Sequence, residues 1–328
     1  MNSVAAAGLP PLAQSGGRRG GPETVNGEGG IFVLDFRMDT FLAVCRHMNY
    51  TKAARELHIT QPAVTQHIHF IEKEYGVQLF SFHGKKLSLT PEGRRLLGAV
   101  TTMKHDDMAL RRMFDEGKTG RRQLTFGVTM TIGEYVIGKY LASYIRRHPG
   151  TRIRLYIANT EELLGRLDRG EIDFALVEGF FEKRDYDFRL FRRERYLGVC
   201  APGLLEEREA PRNFQEIFTG TLITREPGSG TREVLERALS EKGWGIDDFS
   251  NVVEISSMGA IKRMAEGGGG IAFLYEAAVL RELEEGSLVP VYLEDFPRYH
   301  DFTFIWRKNS LFGGQYMELL DEMEREQI

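Results

Sequence analysis

The 328-residue sequence predicts an α/β protein in three parts. An N-terminal helix-turn-helix with a wing comes first, then a long linker helix, then a C-terminal half of two α/β lobes. Three observations predict it. Residues 50–75, YTKAARELHITQPAVTQHIHFIEKEY, hold two amphipathic helical patterns around a tight connection at 58–60. Leu96, Val100, Met103, Asp107, Leu110 and Phe114 alternate by four and three, a heptad seam with one polar member. Beyond residue 122 short β-prone runs alternate with helical patterns. The alternation restarts near Leu222, which reads as paired lobes over mainly parallel strands.

Residues 1–34 are rich in glycine, proline and small polar residues. They read as a disordered extension, or as a remnant upstream of a natural start at or just before Met38. Phe41, Val44, Cys45 and Met48 form a helical stripe, the first helix. The second helix places Ala53, Ala54 and Leu57 on one face. The third places Val64, Ile68 and Ile71 on one face, with Thr60 as its cap and Pro62 in the first turn, where a missing N–H costs nothing. Two helices joined so tightly form a helix-turn-helix. The solvent side of the third helix carries Gln61, Thr65, Gln66 and His69, short polar groups that reach base edges and phosphates. A loop at 83–86 between short apolar β-prone runs predicts a wing with a basic tip. Thr90, Pro91 and Glu92 are a cap, a first-turn proline and an early acid, so a further helix starts there.

Composition narrows the functional class. Net charge is −4, which excludes a protein that coats nucleic acid without regard to sequence. Between Asp35 and Arg95, however, nine lysines and arginines stand against six acids, with five of the eight histidines. A mildly basic module on an acidic body suits sequence-specific binding with a modest electrostatic term. Cys45 and Cys200 lie far apart in apolar patterns, so neither a disulfide framework nor a zinc set is expected. No apolar run approaches the roughly 18 residues that span a bilayer. The first thirty residues lack a signal-peptide core, so a cytoplasmic protein is expected.

Residues 50–93 resemble the winged helix-turn-helix of LysR-type transcriptional regulators. The matching residues are Ala53, Ala54, Leu57, Gln61, Pro62, Ala63, Val64, Thr65, Ile68, Glu72, Gly76, Leu79, Phe80, Leu89, Thr90 and Gly93. Two positions depart from the family pattern. Phe82 stands where an arginine usually follows the Leu-Phe pair, and Lys85 replaces the next wing arginine. His83, Lys85 and Lys86 are then the wing's candidates for phosphate contact. The resemblance implies Thr51, Gln61, Pro62, Thr65, Gln66, His69, Lys85 and Lys86 as DNA-binding residues. It implies a DNA-binding domain at 35–93 and a dimer-forming linker at 94–121. Residues 122–328 become an effector domain similar to periplasmic solute-binding proteins. Lobe I is then 122–199 with 297–328 and lobe II is 200–296, the chain crossing near Cys200 and Pro297. The implied partners are double-stranded operator DNA, a small effector, and further copies of the chain as dimer or tetramer. No cofactor and no enzymatic activity are implied.

In open α/β sheets, ligands bind beyond the carboxyl ends of strands, at helix N-termini. Thr129, Thr131 and Ile132 follow the first strand, Asn159 and Thr160 the second. Arg225, Ser229 and Thr231 follow the first strand of the second lobe, Ser257 and Met258 the next. Glu178 ends another strand. Hydroxyls at helix starts are also ordinary caps, and only the family resemblance gathers these loops into one cleft for a small carboxylate or oxyanion. Arg225 is a candidate for a bidentate carboxylate contact or for an ion pair with Glu226 or Glu233. Residues 267–270 lack the Lys-Ser/Thr ending of a phosphate loop. Residues 228–230 lack the order of a nucleophile elbow. His105, His148 and His300 lack metal-ligand spacing. Two rival readings are a solute-binding or small-molecule enzyme domain with an accessory hairpin, and a helix-mediated interaction module.

Overall fold

The computed structural model describes residues 34–325 except 85, 207–210, 295 and 297. Residues 1–33, read above as an extension, lie outside them. Helix α1 (Phe36–His47) starts at Asp35, whose carboxylate accepts from Arg37 N at 2.8 Å. The first helical turn therefore begins ahead of Met38. Asn49 caps α2 (Tyr50–Glu56). Thr60 caps α3 (Gln61–Tyr75), accepting from Ala63 N at 3.3 Å with Pro62 in the first turn. Gly76 ends α3 in the left-handed conformation, φ 66°, where a Cβ is penalised. Phe41, Val44, Ala53, Ala54, Val64, Ile68 and Ile71 close a small apolar core against Leu79 and Phe80. Strands β1 (Phe80–His83) and β2 (Lys86–Leu89) pair antiparallel as the wing. Thr90 then caps the 29-residue α4 (Pro91–Thr119).

Within the single chain, the buried face of α4 differs from its heptad seam. Val100 is buried, but Met103 is 54% exposed and Phe114 61% exposed. The buried face runs instead through Val100, Thr101, His105, Asp106 and Ala109, because α4 packs along its own chain. His105 is fully buried, with Nε2 3.1 Å from Asp173 O and Nδ1 3.2 Å from Asp106 Oδ1. Asp106 in turn accepts from Ser310 Oγ at 2.6 Å and Leu311 N at 2.9 Å. Arg112 donates to Asp173 and to Gly170 O. One residue away, Lys104 pairs with Asp39 of α1. One stretch of α4 thus touches both the helix-turn-helix and the C-terminal half.

The C-terminal half continues as β3 (Gln123–Val128), a π-helical turn (Ile132–Val136) running into α5 (Ile137–Arg147), β4 (Arg152–Ile157), α6 (Thr160–Asp168), β5 (Phe174–Val177) and β6 (Tyr186–Cys200). Then follow α7 (Gly203–Glu206), α8 (Phe214–Ile217), β7 (Thr221–Thr224), α9 (Gly230–Ser240), β8 (Asn251–Glu254), α10 (Met258–Glu266) and β9 (Ile271–Tyr275). The chain closes with α11 (Glu276–Glu285), β10 (Val289–Val291), β11 (Arg298–Arg307) and α12 (Gly313–Glu324). The nine-stranded sheet runs β4-β3-β5-β11-β6-β9-β7-β8, with β10 on β6. It is parallel only within two sets, β4-β3-β5 and β9-β7-β8. Two long antiparallel strands, β6 and β11, join them.

That corrects one expectation: the sheet is mixed rather than mainly parallel. Along β6, residues 186–190 pair with β11 opposite lobe I, and Tyr196–Val199 pair with β9 of lobe II. A register shift lies beside Phe302 and Thr303, where both strands leave one lobe for the other. Pro297 lies outside the described residues. Helix α11 has no boundary signal in the sequence. It follows β9 directly, with Tyr275 at its start and no side-chain cap, so no loop composition separates it from the strand.

Candidate functional site

Helix α3 presents its polar side outward. Gln61, Pro62, Gln66 and His69 are exposed and Thr65 is half-buried. Its apolar stripe, Val64, Ile68 and Ile71, lies in the core, so the same periodicity that buries one face frees the other. Gln61 Nε2 donates to Thr65 Oγ1 at 2.9 Å, and Thr65 Oγ1 donates to Gln61 O at 3.2 Å. The first turn thereby holds its amide and hydroxyl together at the exposed helix start. Glu72 Oε1 accepts from Leu79 N at 2.9 Å, its side chain is 17% exposed, and its Oε2 lies 3.4 Å from His69 Nδ1 at the edge of this face. Thr51 is exposed at the start of α2, and Lys86 on the wing. Lys85 lies outside the described residues. Beside the wing, Met48, His83, Lys86, Leu87, Leu89 and Arg94 line an open groove of about 780 Å³. Arg94 Nη1 donates to Leu89 O at 2.8 Å. Sequence reasoning passed over Arg94, although the count of basic residues included it.

In the C-terminal half, lobes I and II meet at Glu178, just past β5. Its Oε1 accepts from Thr231 Oγ1 at 2.7 Å, and Tyr275 Oη donates to its carbonyl at 3.3 Å. Thr231 O accepts from Tyr196 Oη at 2.9 Å. The two backbones nearly touch: a Cβ on Gly230 would sit 2.6 Å from Gly179 N. Phe180 N donates to Glu233 Oε2 at 3.2 Å, and the Arg237 guanidinium lies 3.3 Å from the Phe180 ring centroid. Across the same junction, a Cβ on Gly228 would lie 3.5 Å from Asn159 Nδ2.

Five expected residues converge there. Thr129, Thr131, Glu178, Arg225 and Thr231 are each no more than 2% exposed. Burial pushes the Glu178 carboxyl above the usual carboxylate range, opposed in part by the hydroxyls of Thr231 and Thr131 and by the Arg225 charge. Arg225 is not available for a two-point contact with a ligand. Its Nε and Nη2 already bind the Glu226 carboxylate at 2.8 and 2.9 Å, leaving Nη1. The ion pair with Glu226 was the competing expectation, and it forms in a buried rather than a surface setting. Ser229 is buried at the start of α9. Asn159 and Ser257 act as caps, accepting from Glu162 N at 2.9 Å and Ala260 N at 3.4 Å. Ser257 is exposed. Ile132 and Met258 belong to apolar cores. Tyr196 and Tyr275 joined the cluster unannounced. Their strands read as apolar, and no local pattern marks a tyrosine hydroxyl as reaching a neighbouring lobe.

Among the described residues no group of three or more His, Cys, Asp or Glu side chains is placed to hold a metal ion, and no helix is long and apolar enough to cross a membrane.

Comparison with known proteins adds family and fold. The family model for the bacterial regulatory helix-turn-helix protein, lysR family, matches residues 37–94, and the LysR substrate binding domain matches 117–325. The HTH-type transcriptional regulator CbbR of Rhodospirillum rubrum is 32% identical over 276 residues, 84% of this chain and 90% of that protein. The RuBisCO operon transcriptional regulator of Allochromatium vinosum is 28% identical over 275 residues, again 84% and 90%. Among solved structures, full-length LysG from Corynebacterium glutamicum with bound effector Arg superposes with a TM-score of 0.55 at 17% identity, covering 88% of this chain and 97% of that one. The Synechocystis PCC6803 CcmR regulatory domain in complex with 2-PG gives 0.55 at 22% identity, covering 62% and 95%.

Proposed function

The chain belongs to the LysR family of helix-turn-helix transcriptional regulators, and from that premise we propose that it reads operator DNA as a cytoplasmic dimer or tetramer under control of a small anion bound between its lobes. Gln61, Thr65 and Gln66 read base edges. Thr51, Lys85 and Lys86 contact phosphates, and Pro62 and His69 complete the DNA-facing surface of α3. The effector sits among Thr129, Thr131, Ile132, Asn159, Glu178, Arg225, Ser229, Thr231, Ser257 and Met258, with the buried members making the closest contacts. The observation that carries the reading is the division of α3 into a buried apolar stripe and an exposed polar face. An amide and a hydroxyl on that face can donate and accept along the base edges of a major groove.

Effector control follows from the junction at Glu178. Thr231 and Glu233 of lobe II bond Glu178 and Phe180 of lobe I directly. A ligand held there changes the balance between open and closed lobes only by its differential affinity for the two, typically about 1–3 kcal/mol of coupling. Helix α4 touches α1 through Lys104 and lobe I through His105 and Asp106, and so supplies a physical connection to the DNA-binding half.

The test is a salt series of gel shifts on an operator fragment and on random DNA. Gln61→Ala should lose preference for the operator, by about 1–3 kcal/mol at the base it reads. Lys86→Ala should weaken both DNAs alike and reduce the salt slope by about one. Equal loss on both DNAs for Gln61→Ala would remove the base-reading role.

A further inference from the structure

We propose that the inter-lobe site takes its anion together with one proton, and that Glu178 carries that proton. The inference rests on the cleft reading above and names the electrostatic class of its ligand.

Thr129 Oγ1, Thr131 Oγ1, Thr160 Oγ1, Arg225 Nη1 and Glu178 Oε2 are buried and lack a well-formed hydrogen bond to the described residues, the Thr129 and Thr131 hydroxyls lying beside the Glu178 carboxyl without good bonding geometry. Each belongs to a side chain more than nine-tenths buried. Folded proteins leave few such atoms unsatisfied. Five around one inter-lobe junction mark the place where a ligand supplies the missing partners. Four of the five can donate: three hydroxyls and a guanidinium nitrogen. The N-termini of α6 and α9 bring their dipoles to the same junction. This is a donor set for an anion.

Glu178 Oε2 is the exception. An ionised Glu178 would place a second negative charge in the same buried space, and two anions in contact do not both stay charged. Among the described residues the groups around Glu178 give no spare cation to compensate it, Arg232 being paired with Glu236 and Glu254. Arg225, beyond β7, is matched by Glu226. On α9, Arg237 is matched by Glu233 at 3.0 Å, and Glu236 is acidic. Glu161 approaches from α6. Tyr196 of β6 and Tyr275 of β9 are fully buried phenols whose pKa values burial raises well above the ordinary one. His300 of β11 is held below the usual imidazole range by burial, so it favours the neutral form. Protonating Oε2 breaks no bond in the structure, since the Thr231 hydroxyl donates to Oε1. The neutral carboxyl then becomes a fifth donor, aimed at the same ligand. Burial pushes Glu178 in the same direction.

The experiment uses the full chain and anions that stay ionised from pH 6 to 9: acetate, glycolate, oxalate and sulfate. Their affinities are measured by calorimetry and thermal shift across that range, in wild type and in Glu178→Gln. Glutamine keeps the shape and a donor but cannot ionise. At least one anion should bind wild type, with affinity falling about tenfold per pH unit above the Glu178 pKa. In buffers of different ionisation heat, binding in that upper range should take up about one proton, a readout that needs no variant. The glutamine variant should bind the same anion with no pH dependence. A pH slope retained in Glu178→Gln, or a tenfold loss in Glu178→Gln at pH 6 whether or not wild type depends on pH, would each overturn the assignment. Absence of binding by all four anions, or binding unchanged in Thr131→Val, would instead overturn the cleft reading itself.

Discussion

Gly230 offers the sharpest single perturbation of the lobe junction. It opens α9, and its Cα faces backbone: an alanine Cβ would meet Gly179 N at 2.6 Å, Gly179 Cα at 2.7 Å and Glu178 Cγ at 2.9 Å. Ordinary contacts at such a Cβ begin near 3.4 Å, and the two nearest obstacles are backbone atoms that cannot rotate aside. Gly230→Ala must therefore push the start of α9 away from the end of β5. Overpacking of this kind costs about 1–3 kcal/mol. The movement also strains Thr231–Glu178 at 2.7 Å and Phe180–Glu233 at 3.2 Å, each worth about 1 kcal/mol or more. A loss of about 3 kcal/mol corresponds to a fall in Tm of about 6–12 °C for a domain of this size. Melting followed by circular dichroism measures it. Gly138→Ala is the control: it sits on α5 with nothing within 4 Å of its Cβ, and should be neutral or gain up to about 1 kcal/mol. A Gly230→Ala protein that melts with wild type would refute the claim that the lobes are held together at this point.

Three further outcomes are expected. Ile68→Ala empties a site that is 2% exposed in the helix-turn-helix core; it should cost about 2–5 kcal/mol and abolish gel shifts, and a stable variant with normal DNA affinity would contradict the packing of α3. Without ligand, Glu178→Gln should melt above wild type at pH 7. The folded pKa of Glu178 is raised, so above the ordinary carboxylate pKa the unfolded chain loses a proton that the native chain keeps, and stability falls with rising pH until the folded pKa is reached. Glutamine removes that loss, and the gap in Tm between the two proteins should widen with pH over this window. Asp106→Ala removes the acceptor for Ser310 Oγ and Leu311 N and the carboxylate beside His105. It should lower Tm and raise proteolytic cutting within α4, and unchanged protection would show that α4 is held by its apolar contacts alone.

The helix-turn-helix was legible because its determinants are local. Thr60, Pro62, the Val64-Ile68-Ile71 stripe and Gly76 each act within a few residues of themselves, and the structure places cap, stripe and stop as their chemistry requires. The exposed polar residues of α3 followed from the same periodicity. The start of β6 carried a signal that the charge of the segment obscured: residues 186–190, YDFRL, alternate apolar and charged as a half-buried strand does, and the five residues after them hold four charges, so only pairing with β11, more than a hundred residues later, fixes the whole segment as strand. On α4 the heptad seam and the buried face are different faces: His105 and Ala109 turn toward the C-terminal half, while Met103 and Phe114 of the seam stay exposed on the single chain, since periodicity shows that a face is apolar and not which surface meets it.

The candidate ligand residues divide in the same way. From its own residues, the sequence determined which loops end strands and begin helices, and so which hydroxyls stand near free N–H groups. Only the folded chain decided which of them are caps, as Asn159 and Ser257 are, and which bring unpaired buried atoms together, as Thr129 Oγ1, Thr131 Oγ1 and Arg225 Nη1 do around Glu178. The reason is physical. Capping is settled within one turn of helix, whereas burial of a charge, the loss of two Arg225 nitrogens to Glu226 and the contact of Gly179 with Gly230 depend on strands brought together by β6 and β11 across the whole C-terminal half.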